Sequence, residues 1–379
     1  MSEETILTNA RLVLPDAVRA GTLVLRGGRI AAVEFSRSHA AGAIDLDGDY
    51  LLPGVVDLHT DNLERQVQPR ANARWPSRSA MIAHDAQCAA AGVTTVFDAL
   101  CVGDLGFQQT RLQTFRDGVA DIDALAGTGL LKSEHFLHLR CEVPAPDVLD
   151  LLDPVAGHPR VRMISLMDHS PGVGQYADID RYRALRRKEG FGEAEVERHI
   201  LHYQEKRAEI RDTHRHALLA RVAGLPVAVA SHDDRTEAEI AENVADGIRI
   251  SEFPVTMVAA RAAHAHGMEV VAGAPNIVRG GSHSGNVAVA DLVRAGAVNA
   301  LASDYVPASL VEAAFLSVET TGIALPAAIA MISDRPARMG RLADRGRLAD
   351  GLRGDLVRVR VHEGMPVVRQ VWQAGERVA

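Results

Sequence analysis

Two potential metal ligands, His59 and Asp61, follow a short apolar segment that begins after the turn-forming pair Pro53–Gly54. Because one residue separates them, the two side chains point to the same face if the segment forms a strand. An imidazole and a carboxylate held in this way are suitable ligands for a divalent transition metal. A single polar residue at a strand end is usually structural or solvated, so a metal site needs further candidates.

Other strand-like segments also end in imidazole or carboxylate side chains. The further candidate metal ligands are Glu142, His169, His232 and Asp304. The strands of a (β/α)₈ barrel bring their C-terminal ends to one rim, where these residues and the pair above would converge. The set contains no thiolate, so we expect one or two Zn²⁺ ions, with Mn²⁺ and Fe²⁺ as alternatives that ligand type does not separate.

Two of these residues, Asp304 and His232, are also predicted to be catalytic. A carboxylate beside a metal-bound water can take its proton as a general base, which is the role predicted for Asp304. Two ions would suit hydrolysis, because one generates hydroxide and the other holds the substrate oxygen. The carboxylates expected to orient imidazole ligands from outside the centre are Asp168, Asp233 and Asp234.

A glycine-rich segment, 273–286, follows the seventh strand-like segment. Loops after the last two strands of (β/α)₈ enzymes often bind phosphate. Glycines let backbone N–H groups approach an anion, and hydroxyl, imidazole and guanidinium groups add donors. Taken alone such a loop is weak evidence, because many are only flexible turns. The predicted substrate-binding residues of this segment are Asn276, Arg279, Gly280, Gly281, Ser282, His283, Ser284 and Asn286.

Glu252 stands at the end of the sixth strand-like segment and is included among the predicted substrate-binding residues. Its carboxylate could instead be a metal ligand, or it could pair with an arginine at the rim. The first two interpretations need the sixth strand to end on the same rim as the others.

The elements that would hold these residues alternate between strand and helix through the middle of the chain. Helical segments such as 79–91, 236–244 and 256–266 separate the apolar strands. Alternation predicts a parallel sheet, and eight units predict a (β/α)₈ barrel. A doubly wound open sheet is the alternative, but it needs a glycine-rich phosphate loop after the first strand. The predicted strands are 55–59, 93–99, 136–142, 161–169, 226–232, 248–253, 269–274 and 299–304.

Both chain ends contain short strand-like segments, which predicts one small β-domain built from the two termini. The predicted domain limits are 1–53 and 336–379 for this domain and 54–335 for the barrel. A helical and highly charged segment at about 178–222 is too long for a simple connection. We interpret it as a solvated helical hairpin on the barrel surface, with a lid or a subunit contact as alternatives.

The composition, 47% hydrophobic and 24% charged residues in a chain of 379, is that of a soluble globular enzyme. The formal net charge of −8, without a long basic block, disfavours nucleic acid as a partner. Three cysteines without metal-type spacing fit a reduced, cytoplasmic compartment. We expect no signal peptide and no membrane span, since no run of about 18 apolar residues occurs. The expected partners are a small-molecule substrate and further copies of the chain.

Together these features resemble the amidohydrolase superfamily. Leu51–His59 is similar to the start of its barrel, Gly92–Val96 to its second strand and Gly346–Val357 to its return to the small domain. The resemblance covers nearly the whole chain and implies a metal-bearing (β/α)₈ barrel with a β-sandwich built from both termini. Two departures stand out. His59–Thr60–Asp61 replaces the usual His-x-His, and no metal-bridging lysine is evident near Asp168–His169.

The departures and six longer motifs closely resemble the phosphonate-metabolism branch of this superfamily. That resemblance implies a hydrolase of the carbon–phosphorus lyase pathway, which would release pyrophosphate from a ribosyl 5-triphosphate bearing a methylphosphonate. A cyclic-amide or N-acyl hydrolase similar to dihydroorotase is the alternative, and a barrel that has lost its metal is a second. The motif 279–286 counts against the amide hydrolase, and the retained polar strand ends count against a barrel without metal. The motifs are 59–62, 138–142, 165–172, 231–234, 273–276 and 279–286.

Overall fold

The computed structural model describes residues 4–70, 73–105, 109–282 and 285–379. Its strands form two separate sheets of eight strands each. In chain order the strands are β1 (Glu4–Val13), β2 (Val18–Arg26), β3 (Arg29–Glu34), β4 (Ile44–Asp45), β5 (Tyr50–Pro53), β6 (Val55–Thr60), β7 (Val93–Val102), β8 (Glu134–Glu142), β9 (Val161–Met167), β10 (Ala228–His232), β11 (Ile250–Glu252), β12 (Glu269–Gly273), β13 (Ala300–Ala302), β14 (Leu356–His362), β15 (Met365–Gln373) and β16 (Glu376–Arg377).

The central sheet is a barrel of the eight parallel strands β6 to β13, each hydrogen-bonded to the next in sequence order. A β-bridge between Thr60, at the end of β6, and Asp304, just after β13, joins the last strand to the first. All six residues of β6 and all ten of β7 are buried, as expected for parallel strands covered on both faces. The predicted (β/α)₈ barrel is confirmed, and the open-sheet alternative is wrong.

Helices lie between the barrel strands, and their ends follow the local sequence. Thr236 begins the seventh helix with a capping box completed by Glu239, and Thr256 caps the eighth. Gly247 and Gly267 follow these helices with positive φ angles of 78° and 71°. The described helices are α1 (Asn62–Val67), α2 (Ser77–Ala90), α3 (Gln109–Leu125), α4 (Val148–Leu152), α5 (Ile179–Lys188), α6 (Glu193–Val222), α7 (Glu237–Ala245), α8 (Met257–Ala265), α9 (Ala274–Val278), α10 (Val289–Arg294), α11 (Ser309–Thr321), α12 (Leu325–Ala330) and α13 (Asp334–Met339).

The second sheet combines both ends of the chain in the order β16-β15-β14-β5-β1-β2-β3, with β4 beside β1. Its central contact is the antiparallel pairing of C-terminal β14 with N-terminal β5. Glu134 at the start of β8 accepts bonds from Arg345 and Arg353, which ties the barrel to the segment leading into this sheet. The prediction that the termini share one small β-domain is confirmed.

A hydrophobic cluster with members from all eight barrel strands fills the ring. It includes Leu58, Phe97, Phe136 and Met163, together with Met339 at the end of α13. A cluster shared by every strand can form only inside the barrel, so it makes the apolar floor on which polar strand ends rest. Among the described helices, none has the length and apolar character needed to cross a membrane.

The segment predicted at 178–222 consists of the helices α5 and α6, the second being 30 residues long. Three arginines on α6 bind the barrel: Arg207 to Asp168, Arg211 to Glu242 and Arg215 to Asp246. The hairpin is therefore a docked part of the barrel and not only a solvated surface element.

Candidate active site

A cavity of ≈ 350 Å³ opens at the C-terminal ends of the barrel strands. Its lining includes the six candidate ligands His59, Asp61, Glu142, His169, His232 and Asp304. The strands therefore bring together side chains that are up to 245 positions apart in the chain, from residue 59 to residue 304. This convergence is what the barrel topology requires of strand-end residues.

Glu252 lies beneath the candidate ligands and is fully buried. Its Oε1 accepts a 2.9 Å hydrogen bond from Nδ1 of His59, while its Oε2 lies 3.8 Å from Nε2 of His232. Burial opposes protonation of His59, but the charge of Glu252 and the hydrogen bonds to Asp61 and Glu252 together outweigh it and raise the pKa of the imidazole to about 10. The centre thus has an excess of negative potential that favours a bound cation.

Glu142 and Asp233 hold His169 from two sides. Both carboxylate oxygens of Glu142 accept bonds from His169, one from the backbone N–H and one from Nδ1, each at 2.7 Å. Nε2 of His169 then lies 3.6 Å from Oδ2 of Asp233, which is 3.2 Å from Nδ1 of His232. The geometry favours Glu142 as an orienting group and Asp233 as a ligand, the reverse of the predicted assignment; both roles stay predictions.

Asp61 and Asp304 form the third part of the centre. Oδ1 of Asp61 accepts a 2.5 Å bond from Arg140 and lies 3.5 Å from Nε2 of His59. The backbone N–H of Asp304 donates to the carbonyl of His59, and the N–H of Asp61 donates to the carbonyl of Asp304. Burial, and then the charge of Asp61, raises the pKa of Asp304 to about 6, so its carboxyl is a suitable proton acceptor near neutral pH.

The residues that follow three barrel strands have left-handed backbone conformations. The φ angles are 58° at Asp233, 54° at Phe253 and 56° at Asp304. Such a conformation is unfavourable for a residue with a side chain, above all for phenylalanine, and the folded structure must maintain it. It turns the chain sharply after β10, β11 and β13, directly beside the candidate ligands.

The polar atoms of the centre suit a divalent metal. Ligand atoms around a tetrahedral ion at about 2.1 Å lie roughly 3.4 Å apart, close to the separations found here. At the centre, three groups of described residues have their potential ligand atoms within 4.8 Å of one another: His59, His232 and Glu252; His169, His232 and Asp233; and His59, Asp61 and Asp304. The buried atoms that have no hydrogen-bond partner among the described residues include Nε2 of His59, Nε2 of His169, both ring nitrogens of His232, Oδ2 of Asp233 and Oε2 of Glu252.

Two predicted orienting carboxylates lie farther from the centre. Asp168 accepts a 2.6 Å bond from Arg207 of α6. Asp234 accepts bonds from the hydroxyls of Ser231 and Ser251 and from the amide of Asn243, and it is buried. Neither carboxylate contacts a candidate imidazole through these bonds, so they hold the loops around the centre. Their predicted role stays a prediction.

The glycine-rich loop forms one side of the cavity. Arg279, Gly281, Ser282 and Asn286 line it, while Gly280 is exposed beside them. Asn276 also lines it, but its amide is bonded to the carbonyl of Val287 and the N–H of Val289. Asn276 therefore links the start of the loop to the backbone that follows it. The predicted residues His283 and Ser284 lie outside the described residues.

Sequence reasoning missed several cavity residues. Arg140 lies within the motif 138–142, but its bond to Asp61 could not be read from the sequence because Arg140 is on β8 and Asp61 follows β6. The cavity is also lined by Tyr182 and Arg186 of α5 and by Tyr176, which lies just before that helix. The high density of arginine and tyrosine in that segment was the signal available.

Comparison with known proteins shows one near-complete match. The chain is 40% identical over 376 residues to the alpha-D-ribose 1-methylphosphonate 5-triphosphate diphosphatase of Escherichia coli (strain K12), covering 98% of this chain and 100% of that protein. This chain belongs to that diphosphatase family. It is also 29% identical over 152 residues to D-hydantoinase of Rhizobium radiobacter, covering 40% of this chain and 30% of that protein. No protein-family model matches the chain.

Solved structures show that this chain has the fold of amidohydrolases. N-acetyl-D-glucosamine-6-phosphate deacetylase of Mycobacterium smegmatis superimposes with a TM-score of 0.65 at 17% identity, covering 99% of both chains. N-isopropylammelide isopropylaminohydrolase of Burkholderia multivorans gives 0.64 at 18% identity, covering 99% of this chain and 97% of that one. The fold and the clustered ligands indicate a divalent metal centre.

Proposed function

We propose that the protein hydrolyses alpha-D-ribose 1-methylphosphonate 5-triphosphate to alpha-D-ribose 1-methylphosphonate 5-phosphate and pyrophosphate. The observation that carries the proposal is the 40% identity, over 98% of the chain, to the diphosphatase of that name. The cavity supports it, because the imidazole and carboxylate centre lies beside a glycine-rich loop that carries Arg279. We place this enzyme in phosphonate catabolism, in the cytoplasm, as a homo-oligomer.

The proposed metal centre is made of three imidazoles and four carboxylates. His59, Asp61, His169, His232 and Asp304 are ligands as predicted from the sequence, and Glu252 and Asp233 join them because their orphaned oxygens face the same centre. Zn²⁺ is the ion we favour for this donor set, as one ion or two. When bound, the cation stabilises charge on phosphoryl oxygens and lowers the pKa of water.

The other groups of the cavity bind, orient and move protons. Asp304, held between His59 and Asp61, accepts the proton of the attacking water. Glu142 fixes the ring of His169 by accepting its Nδ1 proton, so that Nε2 points into the centre. Arg279 and the backbone N–H groups around Gly281 hold the phosphate chain, whose leaving group is pyrophosphate.

The test is product analysis with the full chain supplied with Zn²⁺. Incubation with the ribosyl triphosphate should give pyrophosphate and the 5-phosphate in equal amounts, detected by phosphorus NMR. Stepwise release of single phosphates, or no turnover with any divalent metal, would contradict the proposal. Ring opening of a cyclic amide such as dihydroorotate at a comparable rate would favour the amide-hydrolase alternative instead.

A further inference from the structure

One wall of the cavity comes from the helical segment rather than from the barrel. The ring of Tyr176 lies 5.8 Å from the ring of His169, beside the metal centre. The guanidinium of Arg186 lies 5.7 Å from the ring of Tyr176 and 4.8 Å from the ring of Tyr182. These three residues form a continuous aromatic and cationic surface, which we name the tyrosine–arginine wall.

The wall is held rigidly. Tyr182 is 1% exposed and packs against Val196 and Ile200 of α6. Arg186 is 6% exposed and donates a 2.8 Å hydrogen bond to Glu189 one turn later. Glu189 offsets part of the desolvation cost of this buried charge, and the packing holds the guanidinium at a fixed position in the cavity lining.

Arg186 is the source of positive charge in the wall. His199 also lines the cavity beside it, but burial, and then the charge of Arg186, lowers the pKa of His199 to about 3. His199 is therefore a neutral imidazole at physiological pH. Replacing Arg186 alone removes the formal charge of the wall.

The wall and the glycine-rich loop come from different parts of the barrel rim. The wall begins after β9, the fourth barrel strand, and the loop begins after β12, the seventh. Above the rim they meet, because the guanidinium of Arg181 on α5 approaches Gly285 of the loop. A substrate held over the centre would therefore contact the loop and the wall together.

We propose that the tyrosine–arginine wall is a second anion subsite, which binds the phosphonate-bearing end of the sugar while the glycine-rich loop binds the phosphates that leave. This inference rests on the proposed function and deepens it. The planar guanidinium of Arg186 suits phosphonate oxygens, and the flat ring of Tyr176 suits the face of a ribose, while the buried ring of Tyr182 supports Arg186. The wall makes the enzyme selective for a triphosphate whose sugar carries a second anionic group.

The test compares two substrates of the full-length, Zn²⁺-loaded enzyme: the ribosyl triphosphate with its methylphosphonate, and ATP, which has an uncharged base instead. Arg186→Gln should lower kcat/KM for the first by about tenfold to a hundredfold, mainly through KM, and for ATP by a factor several times smaller. Arg186→Lys should recover part of the loss. Arg183→Gln on the same helix, whose arginine pairs with Glu197, should change neither value.

An equal loss on both substrates would overturn the wall as an anion subsite and leave the proposed function intact. A wild-type enzyme that releases no pyrophosphate from the ribosyl triphosphate would overturn the proposed function itself. A second measurement needs no variant. Ribose 1-methylphosphonate 5-phosphate should inhibit the wild type at least about tenfold more strongly than ribose 5-phosphate, and equal inhibition constants would also overturn the wall.

Discussion

At the scale of single residues, the centre depends on carboxylates that lie below and behind the imidazoles. Glu252 and Glu142 each accept the Nδ1 proton of one histidine, His59 and His169 respectively. The opposite ring nitrogens are thereby directed at the shared centre in the form that binds metal. The chemistry of the site is decided as much by these partners as by the imidazoles.

We predict that Glu252→Gln weakens metal affinity by about tenfold to a hundredfold, because the amide removes a buried negative charge from the centre while keeping its shape. Metal content after dialysis against a weak chelator, measured by elemental analysis, tests this. Glu269→Gln is the matched control, since Glu269 begins β12 at the opposite end of the barrel. Wild-type metal content in Glu252→Gln would remove Glu252 from the proposed ligands.

We predict that Arg279→Ala keeps its metal but loses activity on the ribosyl triphosphate. Losing a charged hydrogen-bond donor should weaken transition-state binding by about 1.5–3 kcal/mol, or one to two decades in kcat/KM. Arg261→Ala, at an exposed position of α8, provides the control for loss of one surface charge. Pyrophosphate release at the wild-type rate by Arg279→Ala would mean that the arginine is only a surface residue of the loop.

At the scale of elements, α6 is fixed to the barrel by arginines at every fourth position. Arg207, Arg211 and Arg215 lie on one face of the helix and each reaches a different carboxylate of the barrel. Because α5 packs on α6, this stripe also fixes the position of the tyrosine–arginine wall. The link between helix docking and substrate binding is therefore direct.

We predict that Arg215→Ala lowers the free energy of unfolding by about 2 kcal/mol, because it leaves Asp246 and the buried Asn243 without a charged donor. Urea unfolding followed by circular dichroism measures this. Lys206→Ala on the same helix removes an exposed pair with Glu209 and should cost less than about 0.5 kcal/mol. Similar losses in the two variants would show that Arg215 contributes no more than a surface charge.

At the scale of the whole molecule, a buried charge network outside the cavity ties α2 to two barrel strands. His135 of β8 donates to Asp98 of β7 at 2.8 Å and to Asp85 of α2 at 3.1 Å. His84 donates its Nε2 proton to Asp98 at 2.7 Å. The ring nitrogens of His84 and His135 are engaged within the protein, so this cluster supports the fold rather than a second metal.

We predict that this network makes stability fall at alkaline pH. Burial opposes protonation of His135, but the charges of Asp98 and Asp85 and the hydrogen bonds to them together outweigh it and raise the pKa to about 9 from an ordinary value of 6.5. A raised pKa in the folded state contributes stability that is complete below about pH 6.5 and is lost as pH rises through about 9. Urea unfolding of the wild type should show this decrease.

The variant His135→Gln should be less stable at about pH 6.5 and should lose less of its stability between that pH and about 9.5. His158→Gln removes a more exposed imidazole that pairs with Asp123 and should keep the wild-type pH profile. An unchanged profile in His135→Gln would mean that other groups cause the alkaline loss.

The sequence by itself determined the barrel, the β-domain of both termini and the list of polar strand ends. These follow from local patterns: apolar runs such as 55–59 end in a ligand-type residue, and alternation with helices permits few topologies. Parallel strands then place all such ends on one rim, so candidates as distant as His59 and Asp304 could be named together without coordinates.

Only the tertiary structure decided how these side chains are arranged around one another. Glu252 and Glu142 look alike as strand-end carboxylates, yet one lies under the centre and the other is bonded to His169 by both oxygens. The bond between Arg140 and Asp61, and the placing of Arg186 beside the cavity, join segments with no local signal for each other. Such contacts depend on strand register and helix docking, which long-range packing sets and local sequence does not encode.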